Sequence, residues 1–317
     1  PHVGIFGGSG SGKSYGMRVL LEELMRQGVP TLMVDPHYEM EFTQTVGNPP
    51  FDYTNRAEIF QVGQDVGVNF IDIETRELKN LIGTISELSE SMQNIIEIVH
   101  RKQDSVESFK GRLMALLEVL EIGSEEKIRE QYHSAEPGLE KEAWAERIQL
   151  YKRFSSLPQT SVQGVLWRFN SLHRSGIFNH TTKPLEDALQ EGKLIVMQGN
   201  AALLQVFTTF VCDKFYKMRR AYKDGEKTGV KEKPFVPFII CTDEAHQFAP
   251  QHVPTPSKAI FKEIAQEGRK YGVFLVFATQ RPSLLDHTIT AQLNTKFIFR
   301  TVRASDMQTL QEETDLS

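Results

Sequence analysis

The sequence has 317 residues, 40% of them hydrophobic, enough for one large α/β domain or two small ones with a substantial core. A disordered or fibrous chain is excluded. Thirty-six Lys and Arg against 41 Asp and Glu leave a net charge of −5, so no bulk basicity marks a free-standing nucleic-acid binder, and a polyanion would have to meet a local basic surface. The two cysteines, Cys212 and Cys241, form no C-x-x-C pair and no secreted disulfide framework, which points to a reducing cytosol. No run of about 18 apolar residues predicts a membrane span, and Pro1-His2-Val3-Gly4 does not read as a signal peptide. With a strand expected from the third residue and a helix-like stretch at the end, the chain reads as part of a longer protein.

In chain order, Val3 to Phe6 is an apolar strand, Ser14 to Gln27 has helical spacing, and Thr31 to Val34 is a second strand ending at Asp35. A loop is expected at Asn48-Pro49-Pro50, and short β-like pieces at Ile59 to Val62 and Val68 to Ile73 are expected to extend the sheet. From about Thr84 to Ser175 the apolar residues recur at helical spacing, predicting a helical insertion. Breaks near Ser105, Gly123-Ser124, Glu136-Pro137-Gly138 and Leu157-Pro158 divide it into four or five helices. Apolar runs at Lys193 to Met197, Phe235 to Cys241, Val273 to Ala278 and Lys296 to Arg300, separated by helical segments, predict a buried parallel sheet. The domain reading is therefore core over 1–83, helical insertion over 84–175, and core again over 176–317. Met17, Met25, Met33 and Met114 sit among apolar neighbours and are expected in the core.

Gly7-Gly8-Ser9-Gly10-Ser11-Gly12-Lys13-Ser14 fits G-x-x-x-x-G-K-[ST] between a strand and a helix. Glycines let successive backbone N–H groups face an anion, and the helix adds its positive end at the same point. Residues Gly8, Ser9, Gly10, Ser11, Gly12, Lys13, Ser14 and Tyr15 are thus the candidate ATP-binding set; Lys13 reaches the β and γ phosphates, and the Ser14 hydroxyl is a ligand for Mg2+. Phe238 to Asp243-Glu244 supplies a second strand ending in two acids. Asp243 is the candidate metal ligand, and Glu244, aimed differently, the candidate base that orients or deprotonates water. The bland alternative makes this pair a helix cap. Asp243-Glu244-Ala245-His246 also spells the box of one helicase superfamily, but no Ser-Ala-Thr triplet or Arg-rich closing motif follows it. Gln280, after the strand Val273 to Ala278, is placed at the carboxyl edge as a γ-phosphate sensor, with a turn-capping amide as its bland alternative.

Taken together, Gly7 to Ser14, Val34-Asp35-Pro36-His37-Tyr38-Glu39, Thr242 to His246, Glu267-Gly268-Arg269-Lys270-Tyr271-Gly272, Thr279-Gln280-Arg281-Pro282, Gln292 to Lys296, the strand ending at Arg300, and Asp306 resemble the HerA branch of the HerA/FtsK ATPases. The match covers most of 1–83 and 185–317. It implies an α/β, RecA-like P-loop NTPase core with a mainly parallel sheet and an inserted helical bundle. It further implies a homo-hexameric ring, Mg-ATP hydrolysis at subunit boundaries, translocation on double-stranded DNA and a nuclease or other effector partner. It makes Arg269 a phosphate-directed arginine, in cis or in trans, with Arg300 and Arg303 as further candidates. Tyr38 stands where the family has glycine, and the β-barrel typical of full-length relatives is not in this chain.

The most basic stretch, 214–233, is the candidate DNA surface, with a solvated helix end as the alternative; Lys183, Arg281 and His287 carry similar weight. His246 and His252 have no third ligand, so no structural zinc is expected and both read as core or surface histidines. Asn179-His180-Thr181 is read as an accidental sequon. The expected function is a cytoplasmic, ATP-driven DNA translocase without a membrane anchor; the alternative is an ATP-dependent assembly platform that organises an effector, and a third reading pumps DNA through a membrane pore.

Overall fold

The computed structural model describes residues 2–42 and 52–314. In chain order the elements are β1 (Val3–Phe6), α1 (Lys13–Arg26), β2 (Thr31–Asp35), β3 (Ala57–Gln61), α2 (Thr75–Gly83), α3 (Glu90–Val99), α4 (Val106–Ile122), α5 (Glu125–Ser134), α6 (Leu139–Phe154) and α7 (Gln159–Arg174). There follow α8 (Lys183–Gln190), β4 (Leu194–Gln198), α9 (Ala201–Thr228), β5 (Phe238–Thr242), α10 (Ala245–Phe248), α11 (Pro256–Tyr271), β6 (Val273–Thr279), α12 (His287–Thr290), β7 (Thr295–Ile298) and α13 (Ala304–Glu312). The loop expected at Asn48-Pro49-Pro50 lies outside the described residues.

The chain divides into two compact units, one of residues Pro1–Gly67 with His180–Ser317 and one of Val68–Asn179. In the first, the described strands form a seven-stranded sheet in the order β3-β4-β2-β5-β6-β1-β7, every neighbouring pair parallel. The α/β expectation is met. Strands β2 and β4 are buried at every residue, which is why Thr31-Leu-Met-Val-Asp35 and Leu194-Ile-Val-Met-Gln198 read as apolar runs and not as alternating ones. The edge strands β3 and β7 are only partly covered. Met17, Met25 and Met33 lie in the core between α1 and the sheet. Strand β6 is pressed by α11 at Gly268, where a Cβ would meet the Val273 carbonyl oxygen at 2.6 Å.

The second unit is helical, α2 to α7 with two 3-10 turns. Its capping signals sit where the sequence has them: Ser105 accepts the Ser108 N–H ahead of α4, and Gly123 closes α4 in the left-handed region at φ 69°. Two expectations are corrected here. Val68 to Ile73 is not a strand; Phe70–Asp72 forms a 3-10 turn, because Phe70 is drawn into an aromatic cluster with Phe109, Phe169 and Phe178 at centroid distances of 5.1 to 5.7 Å. Met114 is 52% exposed on α4 and not core, since the buried face of that helix is Phe109, Leu113, Leu116 and Val119.

Candidate nucleotide site

All strands being parallel, their carboxyl ends share one edge of the sheet, where ligands gather in open α/β folds. From β1 the chain enters the loop Gly7 to Gly12, and Gly12 reaches α1 at φ 95°, a conformation that a side chain disfavours. Ser9, Gly10, Gly12 and Tyr15 are exposed while Lys13 is buried at 4% exposure. The loop is braced from both sides: the Gly7 N–H donates to the Thr279 carbonyl at 3.3 Å, and the Gly8 N–H to the Arg300 carbonyl at 2.9 Å. The last strand ends at Ile298, two residues earlier than expected; the Phe299 N–H still reaches the Phe6 carbonyl of β1 at 2.7 Å, and the next residue, Arg300, gives its carbonyl to the loop.

The structure brings Lys13, Asp243, Glu244 and Gln280 together. Lys13 Nζ pairs with Asp243 Oδ1 and lies 3.6 Å from Glu244 Oε1. Asp243 and Glu244 are both buried, and the Glu244 N–H donates to Asp243 Oδ1 at 2.9 Å. Glu244 itself sits in the left-handed region at φ 48°, which turns its side chain away from the line of β5. The Gln280 amide donates to Glu244 Oε1 at 2.6 Å. Burial alone would raise the Glu244 pKa, but the hydrogen bond from His246, the Lys13 charge and the Gln280 amide outweigh it and hold the carboxyl down at about 2. His246, read from sequence as an ordinary histidine, is thus part of this cluster; its sequence signal was its place at the end of Asp243-Glu244-Ala245-His246.

Ser14 lies on the first turn of α1, at the loop. Its hydroxyl and the Asp243 carboxylate are hard oxygen donors, a set that fits Mg2+. Among the described residues no group of three or more His, Cys, Asp and Glu could hold a metal ion on its own.

Further along the edge, the Asp35 carboxylate accepts the N–H groups of His37 and Glu39 at 3.3 Å, Met40 at 2.9 Å and the Gln198 amide at 2.9 Å. Tyr38 takes φ 59° inside this clamp and is half exposed. The backbone there keeps a shape that suits glycine, although the residue is tyrosine.

Three predicted arginines are not brought to the cluster by side chain. Arg269 is exposed on the last turn of α11, which leads through Gly272 into the start of β6. Gln280 follows the other end of that strand, roughly 20 Å away at about 3.3 Å per residue, so Arg269 lies at the amino edge of its own sheet. Arg300 is exposed beside the loop and touches it through its carbonyl; Arg303 is exposed as the residue before α13.

The basic stretch 214–233 is largely neutralised within its own unit. Lys217 pairs with Asp213, Arg220 with Glu263, Lys223 with Glu226, Lys227 with Asp224 and Lys233 with Glu186. Arg219 is buried, donating to the Tyr271 and Phe235 carbonyls. Three of these partners, Asp213, Glu186 and Glu263, lie outside the stretch in sequence. Lys183 is likewise paired, with Asp187 and Glu186.

A glycine loop after β1 with its lysine paired to the acid that ends β5, and an amide after the strand between them, mark a P-loop ATPase. The family model described as "Helicase HerA, central domain" matches residues 1–215, and the chain belongs to that family, in the HerA branch of the HerA/FtsK ATPases. It is similar to the DNA double-strand break repair helicase HerA of Pyrococcus furiosus, 27% identical over 342 aligned positions that cover 96% of this chain and 57% of that protein. The HerA helicase of Sulfolobus acidocaldarius is 26% identical over 329 positions, covering 99% of this chain and 58% of that one. The chain thus spans a little over half the length of these curated relatives. Among solved structures, the plasmid coupling protein TrwB bound to the GTP analogue GDPNP has the same fold, with a TM-score of 0.55, 15% identity, and coverage of 98% of this chain and 72% of that chain. Among the described residues no helix is long and apolar enough to cross a membrane.

Proposed function

We propose that the chain is the motor core of a cytoplasmic, ring-forming machine that hydrolyses Mg-ATP to move double-stranded DNA, beside a nuclease or other effector. The observation that carries this reading is the convergence of Lys13, Asp243, Glu244 and Gln280 on the glycine loop. The names of the HerA relatives, DNA double-strand break repair helicases, support the DNA substrate, and TrwB crystallised with ADP and Mg2+ supports the nucleotide.

In this reading N–H groups of the loop beyond Gly8, whose own N–H is held by the Arg300 carbonyl, bind the phosphates. Lys13 exchanges its carboxylate partners for the β and γ phosphates. Ser14 and Asp243 would hold Mg2+, which supplies charge neutralisation on the phosphates. Glu244 orients the attacking water and takes its proton. While Lys13, His246 and Gln280 all attend it, Glu244 is a weak base; transfer of Lys13 and Gln280 to phosphate raises its basicity as the nucleotide settles. Arg269, at the far edge of its own sheet, is assigned to a nucleotide held by a neighbouring subunit, where its planar fork meets developing charge. Arg300, exposed beside the loop, is the second arginine assigned to phosphate.

The test is steady-state ATP hydrolysis with and without linear double-stranded DNA, with Glu244→Gln as the blank. DNA-stimulated turnover supports the motor. The pairing of the 214–233 cations within the chain favours a second reading, an ATP-dependent assembly platform. Hydrolysis indifferent to DNA, with nucleotide-dependent capture of an effector, would select it.

A further inference from the structure

Both oxygens of the Glu244 carboxylate are occupied. Oε1 accepts from Gln280 Nε2 at 2.6 Å and lies 3.6 Å from Lys13 Nζ; Oε2 faces the Gln280 backbone N–H at 3.4 Å and His246 Nδ1 at 3.3 Å. The same His246 Nδ1 lies 2.8 Å from Thr279 Oγ1. Thr279 is fully buried at the end of β6; its hydroxyl oxygen accepts the Arg281 N–H at 3.0 Å and its carbonyl the Gly7 N–H at 3.3 Å. The imidazole therefore joins α10, directly after the paired acids, to the strand end that braces the phosphate loop.

Charge selects the tautomer. A bare Nδ1 would set its lone pair 3.3 Å from a carboxylate oxygen, whereas a protonated Nδ1 donates to Thr279 Oγ1 and keeps its positive N–H beside Glu244 Oε2. Thr279 Oγ1 then accepts from both Nδ1 and the Arg281 N–H, which uses its two lone pairs. Residue 244 stands in a left-handed turn ahead of a four-residue helix, so few backbone bonds hold its side chain in aim. A donor anchored on β6 supplies that aim.

We propose that His246 is a positioning residue for hydrolysis: its Nδ1–H, anchored by Thr279, directs the Glu244 carboxylate and ties it to the end of β6. The inference rests on the reading of Glu244 as the base. Among the described residues the His246 side chain bonds Thr279 and approaches Glu244 but not the glycine loop, so its loss falls on turnover and spares nucleotide binding.

The experiment compares ATP turnover and nucleotide affinity for wild type, Glu244→Gln, His246→Ala, His246→Asn and Thr279→Val, together with nitrogen-15 NMR of the imidazole. His246→Ala is expected to lower kcat on the order of 10- to 100-fold with nucleotide Kd unchanged. His246→Asn, whose amide N–H takes the place of Nδ1–H, restores most of it. In the Glu244→Gln background His246→Ala costs nothing further. The NMR spectrum at neutral pH shows the Nδ1–H tautomer, and Thr279→Val moves its signal. An Nε2–H tautomer overturns the proposal whatever the turnover, as does an unchanged kcat in folded His246→Ala or a full extra loss in the Glu244→Gln background. Equal turnover by wild type and Glu244→Gln overturns the reading of Glu244 and the proposal with it, a result distinct from all the others.

Discussion

A Cβ on Gly16 would lie 2.6 Å from Phe299 Cζ, so α1 and the segment after β7 meet at a point where only a hydrogen fits. The other end of the same side chain closes the loop, with Phe299 Cβ 2.6 Å from a Cβ built on Gly7. Gly16→Ala gains about 1 kcal/mol of helix propensity and loses about 1–3 kcal/mol to overpacking. The expected result in urea denaturation is a net loss of stability, with weaker nucleotide affinity as the loop shifts. Adding Phe299→Leu to Gly16→Ala should recover part of both; a Gly16→Ala chain more stable than wild type contradicts the packing account.

Among the described residues, Lys13 is the only cation paired with the buried Asp243 and Glu244 carboxylates, apart from the histidine. Lys13→Met leaves those charges without it and is expected to lower stability by about 3 kcal/mol, besides abolishing nucleotide binding. Asp243→Asn added to Lys13→Met should return part of the stability and none of the binding. Denaturant titration separates the two effects; a Lys13→Met chain as stable as wild type would show that the pair contributes nothing to the fold.

Arg269 lies at the amino edge of its own sheet, far from its own phosphate loop, so Arg269→Ala should bind nucleotide as wild type does and fail in turnover. Mixing Arg269→Ala with Lys13→Ala tests the assignment in trans. Each is inactive alone, and mixed assemblies regain hydrolysis where an Arg269→Ala site meets an intact Arg269 next door. A mixture no more active than its components contradicts the assignment in trans.

His100 in the helical unit carries a pH dependence. Burial beside Phe70 and Phe109 pulls its pKa below the ordinary 6.5, with Asp104 opposing and Arg112 adding to the fall. Its ring also contacts Thr75 Oγ1 through Nδ1 at 2.9 Å. Because the folded state disfavours the charged ring, stability is full above pH 6.5 and declines as pH falls from there towards the lower folded value. Denaturation midpoints at pH 7.5 and 5.5 should differ in that sense, and His100→Gln should flatten the difference. A larger midpoint at the lower pH contradicts the sign.

Much of the nucleotide site is legible in the sequence because its chemistry fixes residue types at fixed spacing. Gly7 to Ser14 has to be what it is to wrap an anion, and an apolar run ending in Asp243-Glu244 has to be a buried strand with acids at its edge. What the sequence does not carry is which distant groups share an edge. His246 gained its meaning only when β6 placed Thr279 beside it, and Phe299 only when the chain turned back onto the loop. Val68 to Ile73 reads as a short β-like piece, yet burial of Phe70 among aromatic rings from helices far along the chain decided its conformation. The partners of Arg220 and Lys233 were hidden for the same reason, Glu263 and Glu186 being distant in sequence.

The most direct test of the central claim, that Glu244 is the base of a P-loop ATPase held in check by its neighbours, is the pair of measurements on Glu244→Gln. ATP affinity is read by equilibrium binding and turnover by single-turnover hydrolysis. The account predicts affinity close to wild type with turnover down by about 100-fold or more. Wild-type turnover in Glu244→Gln would contradict it.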